Sequence, residues 1–339
     1  MNCYSRIQTH YFNHKFTFFR LMNNNSPHLP DAIKLNWVDI IAPDWSIPYL
    51  RLSRMDRPIG TWLLLIPCWW GLCLGILESD TKVSLYDFWL AVSFTLGAIL
   101  MRGAGCTWND INDWKLDSKV QRTKLRPIPS GQVSNRKAFA WMIIQALASL
   151  LILLSFPSFS IFIGIVSLLP VIIYPYAKRF TWWPQIFLGI AFNWGILLGF
   201  STQGLGISLG CFILYVAGIF WTLFYDTIYA FQDIDDDSIV GIKSTARLFK
   251  ENAASWLFTF VIIFFILAGL AFYVSLFHIS ETIFFICFLG VFIFCSSLFI
   301  QLIKLDTKLP HVCLRLFRSN KMSGLILCLF LAGSLFLSI

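Results

Sequence analysis

Charged side chains are scarce in this sequence. They make up 13% of its 339 residues, whereas hydrophobic residues make up 57%. Apolar stretches of about 20 residues can cross a bilayer as helices, and so many are present that no room is left for a separate soluble domain. We therefore predict an all-α, multi-span membrane helical bundle of about nine transmembrane helices, over approximate residues 59–77, 86–106, 138–156, 158–176, 184–202, 205–225, 254–277, 280–303 and 322–339.

Histidine is rare and cysteine is unpaired in sequence. The five histidines lie away from the acidic stretches of the chain, which argues against a histidine base or a histidine metal site. The nine cysteines form no CxxC pair, and most fall inside apolar spans. We interpret them as small hydrophobic residues rather than as disulfides or zinc ligands.

Basic residues are distributed very unevenly along the chain. Of the 26 Lys and Arg residues, 25 fall in segments on one side of the predicted spans, and Lys82 alone falls in a loop on the other side. The positive-inside rule accounts for this pattern, so the net charge of +8 is not evidence for nucleic-acid binding. The rule places the N-terminus and both acidic stretches on the cytoplasmic or matrix side of the membrane.

The segment before the first span is expected to be distinct. We predict an N-terminal tail and interfacial segment at residues 1–48, and a transmembrane domain at residues 49–339. Trp37 and Trp45 suit the headgroup level of a bilayer. The first 30 residues are basic and contain no acid, as in a mitochondrial presequence, but the favoured interpretation is a disordered tail, with an over-called start and Met22 as initiator as one form of it. We therefore predict a bacterial cytoplasmic (inner) membrane, with the mitochondrial inner membrane as the alternative.

Acidic residues are concentrated in two places between predicted spans. Of the 18 acids, three lie in residues 109–117 and five in residues 226–237. Carboxylates are costly beside a bilayer, so this concentration requires a reason. Helix-capping aspartates in a solvated loop are the structural alternative.

The spacing within the acidic stretches favours metal binding. Asn109, Asp113 and Asp117 are four residues apart, which places them on one face of a helix, and Asp233 and Asp237 repeat this spacing. Like charges one turn apart repel each other, and a divalent cation relieves the repulsion. Mg²⁺ prefers oxygen ligands and usually combines carboxylates with substrate phosphates. The pattern therefore predicts two Mg²⁺ ions that hold a diphosphate, with the four aspartates as catalytic residues.

An anionic diphosphate also needs basic side chains. The candidates are Arg57, Arg122, Lys124 and Lys178. Ordinary positive-inside charge is the alternative explanation for each of them. Arg122 and Lys124 are distinguished because they follow the first acidic stretch, and Lys178 because it ends a span that contains Tyr174.

These residues resemble the UbiA superfamily of intramembrane aromatic prenyltransferases, from about Tyr49 to about Phe249. Residues 109–117 are similar to the NDxxDxxxD motif of that superfamily, residues 233–237 to its DxxxD motif, and residues 174–178 to its YxxxK motif. Further segments are similar to the members that prenylate 4-hydroxybenzoate in ubiquinone synthesis; they are residues 56–60, 122–127, 225–230 and 241–246.

The resemblance implies a nine-helix bundle whose central cavity opens laterally to lipid. It implies transfer of a polyprenyl group from polyprenyl diphosphate to 4-hydroxybenzoate, ortho to the hydroxyl, with Mg²⁺ as cofactor. Tyr174, Lys178 and Asp226 are then expected to bind substrate. Arg54 and Arg57 are candidates for the carboxylate of the acceptor.

Three alternatives differ in class or substrate. An enzyme of the same superfamily with another acceptor, such as homogentisate, naphthoate or haem, would share every motif. A CDP-alcohol phosphatidyltransferase would need a DGxxAR…GxxxDxxxD pattern, which neither acidic stretch contains. An ion-coupled transporter would carry its charges near the bilayer midplane, whereas these acids lie at span ends. The sequence does not identify a protein partner.

Overall fold

The computed structural model describes residues 36–234 and 241–337, and within that part of the chain it contains helices and no strands. Two short 3₁₀ turns, Phe231–Asp233 and Lys250–Asn252, accompany the α-helices. In chain order the helices are α1 (Trp37–Ile40), α2 (Ile47–Leu52), α3 (Ile59–Ser79), α4 (Leu85–Asp117), α5 (Asn135–Leu153), α6 (Ser158–Val166), α7 (Leu168–Phe180), α8 (Pro184–Ser201), α9 (Leu209–Ala230), α10 (Thr245–Phe249), α11 (Ala253–Leu276), α12 (Glu281–Ile303) and α13 (Pro310–Ser334).

Eight helical segments of the described residues are long and apolar enough to cross a membrane. They are α3, α4, α5, α6 with α7, α8, α9, α10 with α11, and α12. This finding confirms the predicted multi-span, all-α class. The ninth span, predicted at residues 322–339, falls on α13, which is not among the eight because its first half carries Arg315, Arg318 and Lys321.

Local sequence explains where several helices begin. Ser208 and Ser280 precede α9 and α12, and each hydroxyl oxygen accepts a hydrogen bond from a backbone N–H in the first turn. Proline occupies the first turn of α8 and α13, where its missing N–H leaves no hydrogen bond unmade. Helix boundaries at these points therefore follow from capping chemistry.

The chain divides into two compact units. The first comprises residues 1–58 and 103–144, and the second comprises residues 59–102 and 145–339. The sequence-based boundary at residue 48 stays a prediction, and most of the predicted tail lies outside the described residues.

The first unit contains α1, α2, the end of α4, the loop at residues 118–134 and the start of α5. Its small apolar core includes Ile128 and Val133 of that loop. Beside this core, the indole Nε1 of Trp141 donates a 2.9 Å hydrogen bond to Ser53 Oγ, and its ring lies 5.5 Å from that of Tyr49. The loop that follows the first acidic stretch is thus packed against α2 and α5. The buried core residues are Leu52, Ile128, Val133 and Ala138.

Close glycine contacts join α3 and α8 in the second unit. A Cβ atom on Gly71 would lie 2.1 Å from the carbonyl oxygen of Ile196, and one on Gly199 would lie 2.2 Å from that of Cys68. No side chain larger than hydrogen fits at such distances. Small residues at helix interfaces allow the backbones of membrane helices to approach in this way.

A buried polar network attaches α13 to α9 and α12. Trp221 Nε1 donates a 2.9 Å hydrogen bond to Asn320 Oδ1, and Asn320 Nδ2 donates one of 2.9 Å to Gln301 Oε1. The amide of Gln301 in turn donates a 3.0 Å hydrogen bond to Ser323 Oγ. Such hydrogen bonds hold polar side chains between helices in an apolar environment, so α13 packs in this unit despite its basic residues.

Candidate active site

The first acidic stretch forms the last turns of α4. Asn109, Asp113 and Asp117 all lie within the helix, so their spacing of four places them within about 80° of one another around its axis. Asp113 is only 1% exposed and Asp117 only 9% exposed. The hydroxyl of Thr123 donates a 2.8 Å hydrogen bond to the carbonyl oxygen of Asp117, which fixes the end of the helix. Two buried carboxylates and the half-buried amide of Asn109 thus share one helix face.

Asp110 joins two arginines beside this face. Its side chain is fully buried, and its Oδ1 lies 2.5 Å from Arg54 Nη2 and 3.5 Å from Arg126 Nη1. The same Nη1 atom of Arg126 lies 2.8 Å from Asp117 Oδ2. Burial is the largest single influence on the pKa of Arg54 and would lower it, but the charge and hydrogen bond of Asp110, together with the neighbouring Cys106 and Asp56, outweigh burial and raise the pKa. The first unit therefore contains a buried, charge-paired cluster around the first motif.

The four basic residues predicted in the first unit differ in their environments. Arg54 also donates a 3.1 Å hydrogen bond to the carbonyl oxygen of Arg51, and Arg57 Nε lies 3.6 Å from Asp56 Oδ1. Both arginines are thus engaged with groups of their own unit, and their assignment to substrate stays a prediction. Arg122 is half-buried and Lys124 is exposed.

The second unit contains the other predicted site residues. Tyr174 and Lys178 lie one turn apart on α7, Asp226 lies on α9, and Asp233 ends the 3₁₀ turn that follows. The backbone N–H of Lys243 donates a 3.1 Å hydrogen bond to the carbonyl oxygen of Lys178, so the segment after the second acidic stretch is tied to the end of α7. Asp237 lies outside the described residues, and its role stays a prediction.

Arg102 was not predicted as a site residue, although it is a charge inside an apolar helix. Its guanidinium lies 5.3 Å from the ring centroid of Phe192, and its charge acts on Asp226 and Tyr225. The Nε atom is buried and has no hydrogen-bond partner among the described residues. Arg102 lies within the span predicted at residues 86–106 and within α4. An intramembrane cation was the signal that could have identified it.

The oxygen atoms of the α4 face determine whether a metal ion can bind there. Among the described residues, no three side chains of His, Cys, Asp or Glu lie close enough together to hold one. The α4 face offers two carboxylates and the amide of Asn109. Mg²⁺ commonly binds through one or two carboxylates plus substrate phosphates, so this face fits a metal that is completed by a phosphorylated substrate.

Fold and site together define a polytopic helical membrane protein with buried acidic and basic groups at helix ends. The model of the family described as the UbiA prenyltransferase family matches residues 64–325. The chain belongs to this family. Among relatives, it is 43% identical to the "4-hydroxybenzoate polyprenyltransferase, mitochondrial" of Bos taurus, over 85% of this chain and 75% of that protein. It is 49% identical to the protein of the same name from Rattus norvegicus, over 64% of this chain and 57% of that protein.

The fold is similar to solved structures of the same family. A UbiA homolog from Archaeoglobus fulgidus, bound to GPP and Mg²⁺, has a TM-score of 0.63 and 22% identity, over 86% of this chain and 99% of that chain. The apo structure of a UbiA homolog from Aeropyrum pernix K1 has a TM-score of 0.60 and 22% identity, over 82% of this chain and 98% of that chain. At these identities the likeness concerns the fold.

Proposed function

We propose that this protein transfers a polyprenyl group from polyprenyl diphosphate to 4-hydroxybenzoate, ortho to the hydroxyl, and releases diphosphate in ubiquinone biosynthesis. Family membership supports the class of reaction, and relatives named for this activity support the acceptor. The observation that carries the proposal is the face of α4 that Asn109 shares with the buried carboxylates of Asp113 and Asp117. This set of oxygen donors suits a metal–diphosphate complex.

Mg²⁺ is the cofactor in this proposal. Asn109, Asp113 and Asp117 would hold one ion, and Asp233 with Asp237 would hold a second. The Archaeoglobus homolog was solved bound to GPP and Mg²⁺, which agrees with this choice. When bound, Mg²⁺ would supply charge neutralisation for the diphosphate leaving group.

The side chains of the protein bind the donor and receive the proton. Arg122, Lys124 and Lys178 bind phosphate oxygens, and Tyr174 lies one turn before Lys178 on the same helix. The bond between the allylic carbon and the diphosphate oxygen breaks, and its electron pair leaves with the diphosphate. The ring carbon ortho to the phenol bonds to the allylic carbon. The proton of that ring carbon passes to an aspartate, for which Asp226 is the candidate, or to the departing diphosphate.

We assign the binding of the acceptor carboxylate to Arg102 rather than to Arg54 or Arg57. Arg54 is paired with Asp110, and Arg57 lies beside Asp56. Arg102 is half-buried, and its Nε lacks a hydrogen-bond partner within the described ranges. A guanidinium binds a carboxylate through two parallel hydrogen bonds, and Phe192 beside it offers an apolar surface to an aromatic ring.

The experiment that tests the activity uses isolated membranes containing the protein. They are supplied with 4-hydroxybenzoate, a polyprenyl diphosphate and Mg²⁺, with and without a chelator. We expect a prenylated acid that is absent when the chelator is present. Parallel reactions with homogentisate and with a naphthoate test the acceptor. Product from either of these but none from 4-hydroxybenzoate would contradict the proposal, and so would undiminished product in chelator.

The protein is a multi-pass membrane protein, and its membrane and orientation belong to the proposal. The relatives are named mitochondrial, which favours the mitochondrial inner membrane over the predicted bacterial cytoplasmic membrane. In either membrane, the basic loops support an orientation with the N-terminus and both acidic stretches on the matrix or cytoplasmic side. Accessibility of a cysteine substituted at Lys119, measured with an impermeant thiol reagent on sealed vesicles of known orientation, tests this side.

A further inference from the structure

Arg126 is the counter-ion of an aspartate that the proposed function gives to the metal. Its Nη1 lies 2.8 Å from Asp117 Oδ2, and its side chain is only 14% exposed. Asp117 is the third member of the oxygen face of α4. A cation that binds this carboxylate therefore has to compete with a guanidinium that is already beside it. Exchange of one positive charge for another keeps the buried carboxylate neutralised throughout.

Asp110 offers Arg126 a second position. The Nη1 atom of Arg126 is already 3.5 Å from Asp110 Oδ1, which also receives Arg54 at 2.5 Å. The other oxygen of the carboxylate, Oδ2, is buried and accepts no hydrogen bond from any described residue. A buried carboxylate oxygen without a donor is costly, so Asp110 retains the capacity to bind a guanidinium more closely. Arg126 could move from Asp117 to Asp110 without leaving the cluster.

We propose that Arg126 is an exchangeable counter-ion, which holds Asp117 in the metal-free protein and shifts to Asp110 when a divalent cation binds Asp117. This inference rests on the proposed metal site. Two consequences follow. Arg126 prevents repulsion between Asp113 and Asp117 before the cation arrives, and it weakens cation binding until a diphosphate adds its own ligands.

The exchange also connects the metal site to the loop that carries Arg122 and Lys124. The backbone N–H of Arg126 donates a 2.9 Å hydrogen bond to the carbonyl oxygen of Thr123, and its carbonyl oxygen accepts one of 2.7 Å from Ser130 Oγ. A shift of the Arg126 side chain therefore acts on both turns of this loop. Arg126 is a positioning residue for the loop cations that bind the donor in the proposed reaction.

Binding of Mn²⁺ to the purified protein in lipid nanodiscs, followed by electron paramagnetic resonance, tests the exchange. In Arg126→Gln the competing cation is absent, so Mn²⁺ should bind about tenfold more tightly than in the wild type. Turnover at saturating metal should nevertheless fall, because the loop is no longer positioned. Lys119→Gln is the matched control, since it removes one exposed charge from the same segment, and its Mn²⁺ affinity should change less than about twofold.

Unchanged or weaker Mn²⁺ binding in Arg126→Gln would overturn the exchange. A second measurement uses the wild type, so it tests the inference even if the Arg126→Gln variant does not fold. Mn²⁺ alone should accelerate amide hydrogen exchange at residues 120–130, as Arg126 is displaced from Asp117. Unchanged or slower exchange there, at Mn²⁺ concentrations that saturate the site, would also overturn the inference. A wild type that binds no Mn²⁺ even with a diphosphate present contradicts the proposed function itself, which separates the two failures.

Discussion

Arg54 and Asp110 are 56 residues apart in sequence, yet their side chains form a buried ion pair with 2.5 Å between Nη2 and Oδ1. This pair joins the segment that contains α1 and α2 to the end of α4. Asp110 lies one residue after Asn109, on a different face of the helix from the proposed metal ligands. The first acidic stretch therefore has two functions: one face binds the cofactor in our proposal, and another face holds the unit together.

Replacement of Asp110 by asparagine should destabilise the protein by about 3 kcal/mol, because removing one member of a buried pair leaves the charge of Arg54 uncompensated. The change keeps the shape of the side chain and removes only its charge. Thermal unfolding in detergent, followed by tryptophan fluorescence, measures the loss as a lower Tm. Asp80→Asn is the matched control because Asp80 is exposed. Equal Tm values for the two variants would show that the pair contributes no stability.

Replacement of Asp113 or Asp233 by alanine should abolish prenyl transfer at a normal protein level. Loss of a metal ligand removes stabilisation of the leaving group, and we expect turnover to fall by at least about 100-fold. The measurement is product formation in membranes normalised to the amount of protein. Lys115→Ala, an exposed residue on the same helix as Asp113, should retain full activity. Full activity in either aspartate variant would break the metal proposal.

Replacement of Arg102 by glutamine should affect the acceptor more than the donor. Loss of a charged hydrogen-bond donor to the acceptor carboxylate should raise KM for 4-hydroxybenzoate by about 10-fold to 100-fold, with a small change in KM for the polyprenyl diphosphate. Steady-state kinetics with each substrate varied in turn provides the measurement. The exposed Arg136→Gln variant serves as control. If KM for the diphosphate rose instead, Arg102 would belong to the donor site.

Replacement of Gly71 by alanine should lower stability by about 1–3 kcal/mol, because the new methyl group would overlap the carbonyl oxygen of Ile196 and force α3 away from α8. Gly97→Ala is the control, since its new methyl group has only Ser149 Oγ within reach, at 4.0 Å. Thermal unfolding of both variants under the same detergent conditions tests the difference. A Gly71→Ala protein as stable as Gly97→Ala would contradict the close backbone contact.

Several features of the fold could be predicted from the sequence because hydrophobic length alone determines them. The span at 184–202 corresponds to α8, which ends at Ser201, and the span at 280–303 corresponds to α12. The span at 158–176 is interrupted at Ser167 between α6 and α7, and no charged residue in that stretch indicates the break. The span predicted at 322–339 overlaps the second half of α13, and in the first half buried polar side chains rather than an apolar run attach the helix.

The site was predictable where spacing within one helix fixes its geometry, as for Asn109, Asp113 and Asp117. Ion pairs between residues far apart in sequence were not predictable, because nothing in the periodicity of α4 indicates that Asp110 pairs with Arg54 rather than with Arg57. Arg126 lies in the segment 122–127, and its position between two aspartates depends on the turns of the loop at residues 118–134.

The most direct test of the central claim is the binding of geranyl diphosphate to the purified protein with and without Mg²⁺, in the wild type, Asp113→Ala and Asp233→Ala. The claim is that metal-dependent binding of the diphosphate requires Asp113 and Asp233 alike. It predicts that Mg²⁺ tightens binding strongly in the wild type and that each substitution alone removes this dependence. Binding that does not respond to Mg²⁺, or that keeps its full response when either aspartate is absent, would contradict the claim.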